Sequence, residues 1–211
     1  MDLTHLVVKR KDPIPFWKLA MDIAGALRDL HKYSITHNDV KSSNVFVELV
    51  TDPFDRSRKT YKAVLADFGL AYSWGTDGIR GRQKMFTFGL SLPYAGPELL
   101  TAQYVDSESR QKFARKDFTM RLDVYAYAVI LWELLERQRA WNNCTSGEIE
   151  KNVLQGNRPV ISSTRKDFPA CKLMEQCWND NPLNRPLMDN VYQELQKMSQ
   201  IPGVLEFTWD L

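Results

Sequence analysis

Cysteine is scarce, with three in 211 residues, an odd number without zinc-ligand spacing. That excludes a disulfide scaffold and a structural zinc site. Free thiols suit a reducing, cytoplasmic setting, and Cys171 and Cys177 read as helix-packing residues rather than a bridge. No sign of charge dominates either: 28 Lys and Arg against 26 Asp and Glu leave a net +2. So even a balance argues against a nucleic-acid partner. The basic clusters Arg56-Ser57-Arg58-Lys59 and Arg115-Lys116 lie in polar stretches and read as solvated loops. No apolar run is long enough for a membrane segment. The most apolar one, Val124 to Leu135, is bracketed by Asp123 and Glu133 and reads as a helix buried on all sides. Met1 to Pro15 lacks a long apolar core, so no secretory leader is expected there. Internal repeats and low-complexity tracts are missing as well.

What is present suffices for one domain with a real core, since 44% of the residues are hydrophobic. Phe16, Leu19, Ile23, Leu27 and Leu30 fall on one face of a helix from Pro15 to Tyr33, with Gly25 its weakest residue. Val45 to Val50 and Ala63 to Leu65 read as two strands of a hairpin, with the turn-rich stretch Thr51 to Thr60 as its loop. Asp67 to Glu98 is one long, glycine-containing connection, and such loops are usually functional. Thr101 to Lys116 reads as an exposed polar insertion. Thr145 and Glu148 match a capping box for a helix running to about Gln155, with Gly156 as its stop. Leu173, Met174, Cys177 and Trp178 form one further helical stripe, and Met188, Val191, Leu195 and Met198 another. The expected fold class is α+β, mainly helical with a small β-hairpin.

The chemistry concentrates in three short segments: His37-Asn38-Asp39-Val40-Lys41-Ser42-Ser43-Asn44, Asp67-Phe68-Gly69 and Gly96-Pro97-Glu98. An aspartate such as Asp39 can accept a hydrogen bond from a substrate hydroxyl and take its proton late in a transfer. Lys41 can meet negative charge on a moving phosphoryl group. Asn44 offers a neutral amide oxygen and Asp67 a charged one, both hard ligands suited to magnesium. Gly69 is expected to let the backbone turn sharply beside Asp67. The hairpin between Asn44 and Asp67 would bring both ligands to one end of the sheet. A lone Asp-x-Lys is common on surfaces and a lone Asp-Phe-Gly is often a turn. Together and in order they are specific.

The pattern resembles the catalytic core of a eukaryotic protein kinase. From about Met1 to Met198 the chain is similar to the C-terminal lobe of that fold, and most similar to the tyrosine-kinase-like group of serine/threonine kinases. The residues that carry the likeness are Leu30-His31 with Ile35-Thr36-His37, and Lys41-Ser42-Ser43-Asn44. Tyr94-Ala95-Gly96-Pro97-Glu98 follows, with glycine where alanine is usual. Leu122-Asp123-Val124-Tyr125, Ile130-Leu131-Trp132-Glu133, Cys177-Trp178, Pro182 and Arg185-Pro186 complete it. The resemblance implies a partial kinase domain over residues 1–211, with an activation segment at 67–98. It implies ATP and Mg2+ as cofactors and a protein substrate. It implies a buried Glu98–Arg185 ion pair, Asp123 hydrogen-bonded to the backbone near His37, and a stack of His37 on Phe68. It places Phe46 under the adenine and Ser91 against the catalytic aspartate.

Two departures matter. The N-terminal β-rich lobe, with its glycine-rich loop, lysine and partner glutamate, is expected to be absent, because nothing before Pro15 resembles it. A truncated gene product, a splice product or a fragment fits this better than a natural half-kinase. Asn38 stands where many kinases have arginine, so phosphorylation of Thr76, Thr87 or Ser91 is not expected to be the main switch. Three functions compete. The first is a serine/threonine kinase, and the second a pseudokinase scaffold without turnover. The third is the cytoplasmic fragment of a receptor kinase at the inner face of a membrane.

Overall fold

The computed structural model describes residues 1–9, 14–51, 59–75, 90–102 and 116–201. Helix α1 (Leu3–Lys9) buries Leu3, Leu6 and Val7. Helix α2 (Phe16–Lys32) follows Pro15, whose fixed φ suits a helix start. Its apolar stripe is the expected one, with Phe16, Leu19, Ile23 and Leu27 buried. Strand β1 (Ile35–Thr36) is followed by β2 (Val45–Thr51) and β3 (Lys59–Leu65). The strands β2 and β3 form the antiparallel hairpin, in register from Val45↔Leu65 to Thr51↔Lys59. Both strands run further toward the turn than the sequence suggested, and residues 52–58 lie outside the described ones. Val45, Val47, Ala63 and Leu65 face the core, while Phe46 and Val64, paired on the other face, are exposed.

A second sheet was not anticipated. Strand β4 (Tyr72–Ser73) pairs with β1 through Ile35↔Ser73 and Thr36↔Tyr72. It pins the start of the long connection, which therefore carries structure of its own. Both strands have two residues, too short to show a period of two in the sequence. Residues 76–89 of that connection lie outside the described ones.

Helix α3 (Pro97–Ala102) is followed by α4 (Lys116–Glu136). The expected exposed insertion thus contracts at both ends, since Thr101 and Lys116 are helical, and 103–115 are not described. Lys116 is no loop residue: its Nζ donates to the Ser34 hydroxyl at 2.7 Å. Every residue of α4 from Leu122 to Glu136 is buried. A helix surrounded on all sides has no polar face, which is why the sequence showed a run rather than a stripe. Helix α5 (Ser146–Leu154) carries the capping box between Thr145 and Glu148, and Gly156 follows it with φ +82°. Helices α6 (Ala170–Cys177) and α7 (Met188–Ser199) bury their expected stripes, apart from Met198, which is half-buried. Cys144, Cys171 and Cys177 are free thiols, the last two buried. No helix among the described residues is long and apolar enough to cross a membrane.

Candidate active site

Helix α4 positions the His37–Asn44 loop at two points. Near its start, the Asp123 carboxylate accepts the backbone N–H of His37 at 2.9 Å and of Asn38 at 2.8 Å. His31, at the end of α2, donates Nε2–H to the same carboxylate at 2.9 Å. Ten residues on, about 15 Å along the axis, the Glu133 carboxylate takes the Ser42 hydroxyl, the Tyr94 hydroxyl at 2.9 Å and the Ala140 N–H at 2.9 Å. A rigid helix therefore holds both ends of the loop. Burial pushes the Glu133 carboxyl and the Tyr94 hydroxyl above their ordinary ranges.

Between those anchors the sequence-expected residues converge. Asp39 accepts Lys41 Nζ at 2.7 Å on Oδ2 and the Ser91 hydroxyl at 2.9 Å on Oδ1. Lys41 Nζ also reaches Ser91 Oγ at 3.3 Å. Asn44 Nδ2 donates to the Asp39 carbonyl at 2.9 Å and to Oδ2 at 3.0 Å. Turning its N–H2 toward Asp39 leaves the Asn44 oxygen on the opposite side. The loop is stiffened by His37, whose Nδ1 accepts the Asp39 N–H at 3.3 Å while Nε2 meets the Ala66 carbonyl at 3.0 Å. Those partners require the proton on Nε2.

Asp67 is brought beside Asn44 by the hairpin. Ala66 N–H donates to the Asn44 carbonyl at 2.9 Å, one step beyond the Val45↔Leu65 pair. Here one expectation is corrected. Asp67 itself, with φ 61°, adopts the left-handed conformation, and Gly69 does not. Gly69 serves close approach instead: its N–H donates to Asp67 Oδ1 at 3.3 Å, and a Cβ there would stand 3.2 Å from that oxygen. Asp67 is exposed, and the half-exposed Phe68 ring lies 5.1 Å, centroid to centroid, from His37. Two oxygen donors, one charged, suit a magnesium ion that keeps several waters and takes phosphate oxygens, so the pair fits the metal. Phe46 is half-exposed on the outer face of the same hairpin.

The remaining expectations concern support. Arg185 grips Glu98 in a bidentate pair, Nη1–Oε1 at 2.6 Å and Nη2–Oε2 at 2.8 Å, with both side chains buried. Arg185 also donates to the carbonyls of Asn179 and Arg121, and its guanidinium lies over the Tyr125 ring. Among the described residues, Asn38 makes a neutral backbone contact. Its Nδ2 donates to the Leu70 carbonyl at 2.9 Å, a neutral tether from the loop to the start of the long connection. Ser91 is committed to Asp39 and Lys41, while Thr76 and Thr87 lie outside the described residues.

Sequence reasoning missed the roles of His31, Ser42, Tyr94 and Glu133. The signal was available in part: two acids, Asp123 and Glu133, bound an apolar helix, and buried acids need donors. Which donors those would be depended on tertiary contacts across 39 to 92 positions.

Residues 9–195 match the protein tyrosine and serine/threonine kinase family. A probable LIM domain-containing serine/threonine-protein kinase of Dictyostelium discoideum is 30% identical over 203 residues, covering 94% of this chain and 26% of that protein. The kinase suppressor of Ras A of Caenorhabditis elegans is 26% identical over 208 residues, covering 96% of this chain and 25% of its own length. The RGS domain-containing serine/threonine-protein kinase A of Dictyostelium discoideum is 26% identical over 179 residues, covering 85% and 13%. The chain thus spans about a quarter or less of the length of these relatives.

Proposed function

The chain belongs to the protein tyrosine and serine/threonine kinase family, and from that premise we propose that it carries the catalytic half of a serine/threonine protein kinase. It would form the C-terminal lobe of a tyrosine-kinase-like member, in a cytoplasmic setting. Residues 67–98 would be its activation segment. One observation carries the reading. The Asp39 carboxylate is held by Lys41, Ser91 and Asn44, with Asp67 beside Asn44 at the hairpin end. The group membership rests on Lys41-Ser42-Ser43-Asn44, and the cytoplasmic setting on the three free thiols.

In this reading Asp39 orients a serine or threonine hydroxyl of a protein substrate and accepts its proton as the γ-phosphoryl of ATP is transferred. The Asp39 side chain is only 13% exposed, and its two oxygens are already oriented by donors, so little reorganisation is needed. Lys41 has two acceptors and one further N–H for the phosphoryl oxygens. Asn44 and Asp67 would hold Mg2+, which supplies charge neutralisation at the phosphates. Phe46, exposed at the hairpin's outer face, would meet the adenine.

The test is Asp39→Asn in the protein that carries this chain, assayed for transfer of radiolabelled phosphate to a serine/threonine peptide mixture. Asparagine keeps the volume and the contacts to Ser91 but cannot take the proton. Transfer is expected to fall by about 10^2–10^4-fold. Unchanged transfer refutes the assignment. No transfer by either form, with a cellular phenotype that both forms support, favours a pseudokinase scaffold.

A further inference from the structure

Behind the catalytic loop, away from the hairpin, a cavity of about 650 Å3 opens between the end of α2, the start of α4 and the start of α7. Its apolar wall is Met120, Leu187 and Met188. Its polar wall is Arg28, Asp29, His31 and Lys32 on one side and Asp189 on the other. We propose that this cavity binds a small amphiphilic anion that also carries an N–H or O–H donor. The proposal is independent of the catalytic reading.

Three features specify the ligand. The first is His31. Its side chain is only 8% exposed, and its Nε2–H is spent on Asp123 at 2.9 Å. Its Nδ1 is buried with no hydrogen-bond partner. A carboxylate at Nε2 fixes the proton there, so Nδ1 presents a lone pair and calls for a donor. The second is the start of α7. Its N-cap is Leu187, which supplies no side-chain cap, and the first intrahelical N–H to bond back is that of Val191. Met188 and Asp189, which line the cavity, have their amides left as donors at the positive end of this 12-residue helix. The third is the charge balance. Asp29 is matched by Arg28, which also lies over Tyr192, whereas Asp189 keeps its charge, since the Gln193 Nε2–H it accepts at 2.8 Å is neutral. Lys32, exposed at the rim, remains as an ammonium for an anion.

The ligand would sit one side chain behind the catalytic turn. His31 joins it to Asp123, and Asp123 holds the amides of His37 and Asn38 next to Asp39.

The probe is 1-anilinonaphthalene-8-sulfonate, which combines a sulfonate, an aromatic body and an N–H. It is titrated into the full 211-residue chain, labelled with 15N. One site is expected, with a shift of the His31 ring nitrogens and of the His37 and Asn38 amides. Lys32→Glu should weaken it about fivefold. Leu187→Trp, at a half-exposed position that tolerates bulk, should fill the cavity and remove the site. Two results overturn the proposal. One is no binding by the folded chain. The other is fluorescence indifferent to both variants with unmoved His31 resonances, which would place the dye elsewhere, such as on the exposed Phe46–Val64 face.

Discussion

The floor of the site and its rim each carry an aspartate, buried as Asp123 and exposed as Asp67, and the two regions are treated in opposite ways. On the floor, Asp123, Glu133, Glu98 and Arg185 are all less than 9% exposed, and each is met by two or more hydrogen bonds. At the rim, Asp67 is exposed, Phe46 is 52% exposed and Phe68 is 50% exposed. A buried charge must be answered within the fold, whereas an exposed one is answered by water until a ligand comes. The floor thus fixes geometry, and the rim is left to make contacts. Changes on the floor should register as stability, and changes at the rim as function.

The strongest way to break the floor is Arg185→Ala. It strands the Glu98 carboxylate, whose side chain is 5% exposed. Unfolding in urea should show a loss of about 3–5 kcal/mol. The double variant Glu98→Met with Arg185→Met should recover much of it, because two well-packed apolar groups replace the pair. A double variant as unstable as the single one would show that the ion pair itself, not the stranded charge, sets the value.

Gly96→Ala tests the same pair from its other side. A Cβ at position 96 would stand 2.6 and 2.7 Å from the two Glu98 oxygens. Those oxygens are held by Arg185 and cannot swing aside freely. The loss should be about 1–3 kcal/mol, the scale of overpacking. Combined with Arg185→Ala it should be less than additive, since the freed carboxylate can then move. Full additivity would sever the proposed coupling.

A smaller effect separates Glu133 from Glu98, because Glu133 is answered by neutral donors and not by a bidentate cation. Burial raises its pKa, against the pull of Ser42, Ala140, Tyr94 and Arg139. The folded state therefore holds a proton that the unfolded chain has already lost. That contribution to stability is complete below the ordinary carboxylate range and declines as pH rises through the raised folded value. Wild type should lose stability relative to Glu133→Gln across this window. Urea midpoints of both forms, taken from about pH 4 to pH 8, check it. A difference that does not change with pH would rule it out.

The same division explains how much was legible in the sequence. Helix α2 and the stripes of α6 and α7 were readable because burial on one side leaves a period, and the capping box of α5 because Thr145 and Glu148 stand three positions apart. The convergence of Asp39, Lys41, Asn44 and Asp67 was readable because short motifs in order determine it. Strands β1 and β4, at two residues each, left no periodic trace. The left-handed backbone fell on Asp67 rather than the neighbouring glycine, because an aspartate whose Oδ1 accepts the Gly69 N–H can hold that conformation. Glu133 and His31 were silent because their partners lie 91 and 92 positions away.

The mildest perturbation in stability should be the sharpest in function. Asp67→Asn keeps the left-handed backbone, since asparagine also tolerates φ near 60°, and its side-chain oxygen can still accept the Gly69 N–H. Stability should stay within about 0.5 kcal/mol. Only the negative charge is lost, and with it the charged ligand proposed for magnesium. Phosphoryl transfer in the protein that carries this chain should fall by about 10^2-fold or more, with the steepest loss at low magnesium. Asp67→Ala separates the two contributions. It removes the charge and also places alanine in a left-handed conformation, which costs about 1–2 kcal/mol. If Asn and Ala cost the same stability, the strain assigned to position 67 is absent. If Asp67→Asn leaves transfer intact at every magnesium concentration, the rim carries no metal at Asp67, and the contrast between floor and rim reduces to one of exposure.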